Sequence, residues 1–316
     1  MKVAFIFPGQ GSQVVGMGKE LAKEYPEARE VFEVADNALG FPLSKLCWEG
    51  PEAKLKETQN TQPAILTCSI ACLRVLQSKG IEGSITAGHS IGEYASLVAA
   101  GVLELGEAVK ITRSRGKLME ASCPEGTGGM AAIMGIEPDR VLSICQEVSE
   151  AGVAEPAAFN CPGQVVVAGH IRALTEVIAK TKAEGARNAT LLTVSGPFHS
   201  SLMKSARDGL EEEFKGIKFQ EAKFPVVSNV DAKPHTKPET IKENLLAQLT
   251  NPVLWQNSIQ TLRKEKTRVF VELGAGRVLS GLLRRIDRTL AVSSVRDKAS
   301  LEKAVDFFKA EGYFGT

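Results

Sequence analysis

The sequence predicts an α/β protein: a large domain built on a parallel sheet, interrupted in mid-chain by a smaller unit of βαββαβ order. Three observations lead there. Short apolar or β-branched runs alternate with longer stretches of helical periodicity, the pattern of parallel strands covered by helices. The rhythm breaks after Cys123-Pro124-Glu125-Gly126-Thr127-Gly128-Gly129, a joint by its Gly and Pro content. Finally, Gly88-His89-Ser90-Ile91-Gly92 lies where an apolar run meets a helical pattern.

Taken in order, Val3–Phe7 reads as the first strand. It is far too short for the apolar core of a signal peptide and is stopped by Pro8-Gly9. Residues 84–87 form the second strand, and 107–121 a helix. The inserted unit then runs strand 130–135, helix 137–150, strand 153–159, turn 160–164, strand 165–168, helix 171–184 and strand 190–194. That order is the ferredoxin-like pattern. The large domain resumes at Ser195, which divides the chain into residues 1–126 and 195–316 around an insertion at 127–194. A cleft between the two parts is the natural ligand site. Strands at 225–228, 268–273 and 290–295 complete the sheet, and 231–238 reads as a surface loop by its Pro, Asp and Lys content.

Composition excludes several classes. The 316 residues are 43% hydrophobic and 24% charged with a net charge of +1, values of an ordinary globular chain that offers no field for nucleic acid. No stretch approaches the roughly 20 apolar residues that span a bilayer, so a cytoplasmic protein is expected, with no membrane partner. Cys47, Cys68, Cys72, Cys123, Cys145 and Cys161 show no metal-ligand spacing and read as reduced core residues. No metal or cofactor is expected, and a monomer is.

The chemistry gathers on Ser90. A strand, a tight turn with flanking glycines and a helix whose N-terminus faces a developing oxyanion make a nucleophile elbow, the arrangement of an α/β-hydrolase-like domain. The alternative is a Gly-rich turn with Ser90 as a helix cap. A serine needs a base. His89 is directed away by its place on the turn, His170 opens a helix of the insertion and His235 sits in a Pro-rich loop, leaving His199 where the chain re-enters the large domain. A histidine bonded to its own backbone is the alternative there. No Asp or Glu stands out as the acid of a hydrolase triad, a first sign against a dedicated hydrolase. Arg115 shares an apolar helix stripe with Ile111, Leu118 and Met119, while Lys110, Arg113 and Lys117 lie on the solvated side. A guanidinium so placed needs a carboxylate, either a ligand's or the chain's own.

Seven motifs in order make the chain similar to the malonyl-CoA:acyl carrier protein transacylases, the acyltransferase family of fatty acid and polyketide synthesis. They are Phe7-Pro8-Gly9-Gln10-Gly11-Ser12-Gln13; Gly88-His89-Ser90-Ile91-Gly92-Glu93-Tyr94; Arg115-Gly116 with Met119; Asn160-Cys161-Pro162-Gly163-Gln164; Gly196-Pro197-Phe198-His199-Ser200; Gln248 ahead of Asn251-Pro252-Val253; and Val271-Glu272-Leu273-Gly274. The resemblance implies that Ser90 is acylated, that His199 is its base and that Arg115 binds the malonyl carboxylate. It further implies an oxyanion hole from the N–H groups of Gln10 and Ile91, a main-chain carbonyl of Gln248 that orients His199, and Met119 and Phe198 against the acyl group. The implied partners are malonyl-CoA and holo acyl carrier protein. From periodicity alone Gln10 could equally be a turn residue and Gln248 an exposed helix residue.

Two rival functions stand beside this reading. A serine esterase or thioesterase would use the same elbow. A nucleotide or S-adenosylmethionine binder is suggested by Val269-Phe270-Val271-Glu272-Leu273-Gly274-Ala275-Gly276, although Leu279 stands where the third glycine of a dinucleotide fingerprint belongs.

Overall fold

Phe7 and Gly88 are register partners at the C-terminal ends of two neighbouring parallel strands, and most of the fold serves to put the residues after them side by side. The computed structural model describes residues 1–314. Its strands are β1 (Val3–Phe7), β2 (Ile85–Gly88), β3 (Gly128–Met134), β4 (Ala154–Cys161), β5 (Gln164–His170), β6 (Asn188–Leu191), β7 (Val226–Val227), β8 (Pro234–His235), β9 (Val269–Leu273) and β10 (Ala291–Val295). One sheet has the order β10-β9-β1-β2-β7-β8. It is parallel from β10 through β7, and antiparallel β8 finishes one edge. The segment read as a loop at 231–238 therefore holds a short strand, paired through His235 and Pro234 to Val226 and Val227.

Every residue of β1 and β9 is buried, which is why both read as continuous apolar runs rather than alternating ones. Glu272 is the exception in sequence and is fully buried. Its carboxylate accepts hydrogen bonds from the N–H of Leu279 at 3.0 Å and of Ser280 at 2.8 Å, at the start of the helix Val278–Ile286. That carboxylate fills the helix N-terminus a nucleotide phosphate would need, which removes the physical basis of the nucleotide reading.

The second sheet has the order β4-β5-β3-β6 and is antiparallel throughout. Alternation of side chains decides what each face meets. Ala131, Ile133, Val165 and Val167 pack with Val141, Leu174 and Val177 of its own helices, Pro138–Glu147 and Ile171–Ala183. Met130, Val166 and Ala168 face the opposite way and join the core of the parallel sheet. Backbone bonds between Phe159 N–H and Val253 O and between Val253 N–H and Ala157 O, each 2.9 Å, stitch β4 to the large domain.

Several local boundaries differ from the sequence reading. The turn predicted over 160–164 narrows to Pro162-Gly163, because Asn160 and Cys161 extend β4 and Gln164 opens β5. The last strand of the unit ends at Leu191, three residues before the predicted end; one more backbone bond, Leu192 N–H to Met130 O at 2.8 Å, follows, and the chain then leaves β3. Arg113 is half-buried rather than solvated: its guanidinium lies 4.4 Å from the centre of the Phe41 ring and donates to Asn60 at 2.8 Å. All six cysteines are free and buried. Among the described residues no helix is long and apolar enough to cross a membrane.

Candidate active site

Three neighbouring strands deliver the site. The chain leaves β1 into Gly9-Gln10, β2 into His89-Ser90 and β7 into Ser228-Asn229, all at one end of the parallel sheet, where ligands of such sheets bind. The elbow needs its glycines for close approach. A Cβ on Gly88 would lie 1.9 Å from the Gly92 carbonyl carbon, and one on Gly92 would lie 2.2 Å from Phe7 O. Ser90 itself holds φ at 52° and His199 at 61°, left-handed conformations that non-glycine residues keep only where surrounding contacts enforce them.

Ser90 Oγ and His199 Nε2 are 2.7 Å apart, and His199 Nδ1 is 2.7 Å from the main-chain oxygen of Gln248. A carbonyl can only accept, so Nδ1 carries the proton of the neutral ring and Ser90 Oγ–H donates to Nε2. His199 is 5% exposed. Burial, followed by the charge of Arg115, pushes its pKa down from 6.5 to about 3, so the ring is neutral at ordinary pH. A neutral acceptor behind the base stands where a hydrolase triad has a carboxylate.

Arg115 is fully buried behind Ser90. Its Nη1 donates to Gln62 Oε1 at 2.8 Å, and its Nη2 to Gln248 Oε1 at 2.8 Å and to Ser90 Oγ at 3.3 Å. Among the described residues no carboxylate lies within salt-bridge distance of it, so the buried ion pair weighed as an alternative does not form. Its Nε–H is buried without a partner. A buried guanidinium without a countercharge is costly unless an anionic group can reach it; the centre of the Tyr94 ring lies 5.6 Å from it.

Backbone N–H groups of Gln10 and Ile91 make no hydrogen bond within the described residues. The side chain of Gln10 is held by Thr58 Oγ1 at 3.2 Å. A cleft of about 180 Å³ is lined by Gln10, Ser90, Ile91, Met119, Phe198 and His199, with Met130, Ala158 and Asn160 of the insertion forming the facing wall. Arg115 and Gln248 lie behind that lining rather than in it. Gln248 is fully buried at the end of the helix Pro238–Gln248, not exposed as periodicity alone allowed.

Four polar residues at the site were missed. Gln62 holds Arg115; Asn160 Oδ1 accepts from His89 Nε2–H at 2.8 Å, which turns the His89 ring from Ser90; Asn229 bonds the elbow backbone, and Glu93 accepts from the N–H of Asn229. Glu93 had a signal of the kind that marked Arg115, a charge in the apolar run Tyr94-Ala95-Ser96-Leu97-Val98. Asn229 had only its place after a strand.

A serine hydrogen-bonded to a neutral histidine, beside two free amides and a buried cation, is an arrangement able to carry an acyl group on serine. Residues 4–303 match the acyl transferase domain family. The malonyl CoA-acyl carrier protein transacylase of Bacillus subtilis (strain 168) is 43% identical over 311 residues, 98% of this chain and 98% of that protein. The solved structure of the malonyl CoA-acyl carrier protein transacylase from Clostridium perfringens superposes with a TM-score of 0.96 at 37% identity, covering 99% of each chain. A malonyl-transacylase solved in complex with its type II PKS acyl-carrier protein is 42% identical, with a TM-score of 0.95 over 97% of this chain and 100% of that one. The chain belongs to the acyl transferase family and is an acyltransferase.

Proposed function

We infer that the protein transfers the malonyl group of malonyl-CoA to the phosphopantetheine thiol of holo acyl carrier protein, in fatty acid synthesis, through a malonyl-Ser90 ester. The observation that carries the choice of acyl group is Arg115, a buried cation with no carboxylate of its own 3.3 Å from the nucleophile. His199 Nε2 takes the Ser90 proton as Oγ attacks the thioester carbonyl; the N–H groups of Gln10 and Ile91 hold the oxyanion. On collapse the C–S bond breaks, His199 returns the proton to the CoA thiolate, and the ester remains. The carrier thiol then loses its proton to His199 and attacks the ester, and Ser90 regains the proton as it leaves. Met119 and Phe198, 1% and 5% exposed, pack against the acyl group. Residues 127–194 act as a subdomain that walls the cleft and limits water. The relative solved with a carrier protein shares this fold, which supports a carrier protein as the acceptor. The enzyme acts in the cytoplasm.

Incubation with malonyl-CoA, with and without holo acyl carrier protein, tests the reading. The expected result is one malonyl group on the protein without carrier and malonyl-carrier with it. Steady release of free malonate with no acylated protein would establish the esterase instead. The pH profile gives a second check. Neutral His199 is the working form, so acylation is present above its pKa and is lost as pH falls through it. The acid limb of single-turnover acylation, read by rapid mixing, is expected well below 6.5, toward about 3; a limb near 6.5 would mean that burial and Arg115 do not hold the working His199 down.

A further inference from the structure

Asn229 has no part in the chemistry above, yet it makes the closest contacts to the nucleophile's backbone. It lies two residues beyond β7, beside β2 in the sheet, and is fully buried. Its Oδ1 accepts the Ser90 N–H at 2.7 Å and its Nδ2 donates to Gly88 O at 2.6 Å. A carbonyl only accepts and an N–H only donates, so these partners fix the orientation of the amide. Its own N–H donates to Glu93 Oε2 at 3.1 Å, and Gln248 Nε2 donates to the same carboxylate oxygen at 2.7 Å.

We propose that Asn229 is the positioning residue of the elbow, holding Ser90 in its left-handed conformation and turning the Ser90 N–H away from the cleft. The proposal rests on the acyl-transfer reading and extends it. With the Ser90 N–H tied to Asn229, the amides left for an oxyanion are those of Ile91 and Gln10. Relaxation of the strained φ of 52° would swing Oγ off a 2.7 Å bond to His199. Through Glu93 and Gln248 the same clamp reaches the group that orients His199 and the group that holds Arg115. One buried amide thus keeps nucleophile, base and cation in register.

The test is single-turnover acylation by malonyl-CoA, followed by intact mass, on wild type, Asn229→Ala and Asn229→Asp, with thermal melts beside it. For folded Asn229→Ala the acylation rate is expected to fall about 100-fold while the KM for malonyl-CoA stays within about threefold, since misplacement harms the reacting geometry rather than binding. A purely structural role would lower the melting temperature and leave the rate of the folded protein alone. A rate within about threefold of wild type, or a loss that falls on KM, overturns the proposal. Asn229→Asp keeps the acceptor for Ser90 N–H and supplies the donor to Gly88 O only when its carboxyl is protonated. Glu93 of the helix Gly92–Ala99 faces it directly, with Arg115 of the helix Leu105–Ala121 behind Gln248 and His199 beyond Ser90. Ionised, the new carboxyl loses that donor and faces the Glu93 carboxylate, so the acylation rate of this variant at about pH 8 is expected to fall at least about tenfold below wild type with KM within about threefold; a rate within about threefold of wild type overturns the proposal, and this variant decides if the alanine protein does not fold. A wild type that takes up no malonyl overturns the acyl-transfer reading and the clamp with it. A wild type that acylates beside an equally fast, folded Asn229→Ala overturns the clamp alone.

Discussion

Ser90→Ala is expected to lose the malonyl-enzyme altogether, with transfer to the carrier falling by about 10⁴-fold to 10⁶-fold, the range seen when a covalent nucleophile is removed. The size of the effect follows from the proposed role of Ser90 in both half-reactions: its Oγ would be the one atom holding the acyl group while CoA leaves and the carrier arrives. Removing Oγ leaves the oxyanion donors, Arg115 and His199 in place, so malonyl-CoA still binds and its KM changes little. The fold has no reason to suffer, since alanine in place of serine removes one oxygen from a half-buried side chain. The left-handed backbone at this position costs alanine about as much as it costs serine. Intact mass after brief exposure to malonyl-CoA reads the result directly. A malonyl increment that persists on Ser90→Ala would put the nucleophile elsewhere.

What the sequence shows of the candidate site is its local part. The elbow at 88–92 is a contiguous pattern whose strand, glycines and helix can be counted along the chain. Arg115 betrays itself because a charge on an apolar stripe breaks the helical period. The ferredoxin-like unit is legible because its two periodicities, 2 and 3.6, alternate cleanly over about 60 residues. Asn229, by contrast, meets Ser90 across 139 positions, and nothing in Ser228-Asn229-Val230 says that β7 will lie next to β2. Gln62 meets Arg115 across 53 positions, and in the polar run Thr58-Gln59-Asn60-Thr61-Gln62 nothing singles it out. Gln10 and Gln248 became site residues through family resemblance, since backbone groups act at both and a backbone group leaves no trace in residue type. The mistaken ends of the predicted turn at 160–164 and of the last inserted strand have a related cause: strand ends are set by backbone pairing across the sheet, which residue types along one strand do not show.

Arg115→Ala is expected to leave Ser90 open to acylation while erasing the preference for malonyl-CoA over acetyl-CoA. The two substrates differ by one carboxylate, and in the proposed complex that carboxylate pairs with Arg115, which is fully buried without a countercharge. Truncating one side of a buried charge pair costs about 2–4 kcal/mol, so the ratio of kcat/KM for malonyl to that for acetyl should fall by roughly 30-fold to 1,000-fold. The ratio matters more than either rate, because Arg115 also touches Ser90 Oγ and its charge helps hold down the pKa of His199, effects that act on both substrates alike. Alanine further leaves Gln62 Oε1 and Gln248 Oε1 without their donor, so some loss of stability is expected, and thermal melts should accompany the kinetics. Arg115→Lys separates charge from shape. A single ammonium cannot reach both glutamines and also fork onto a carboxylate, so this variant should keep part of the preference, with malonyl falling more than acetyl. An unchanged ratio in both folded variants would make Arg115 a packing residue and return the acyl selectivity to the walls around Met119 and Phe198.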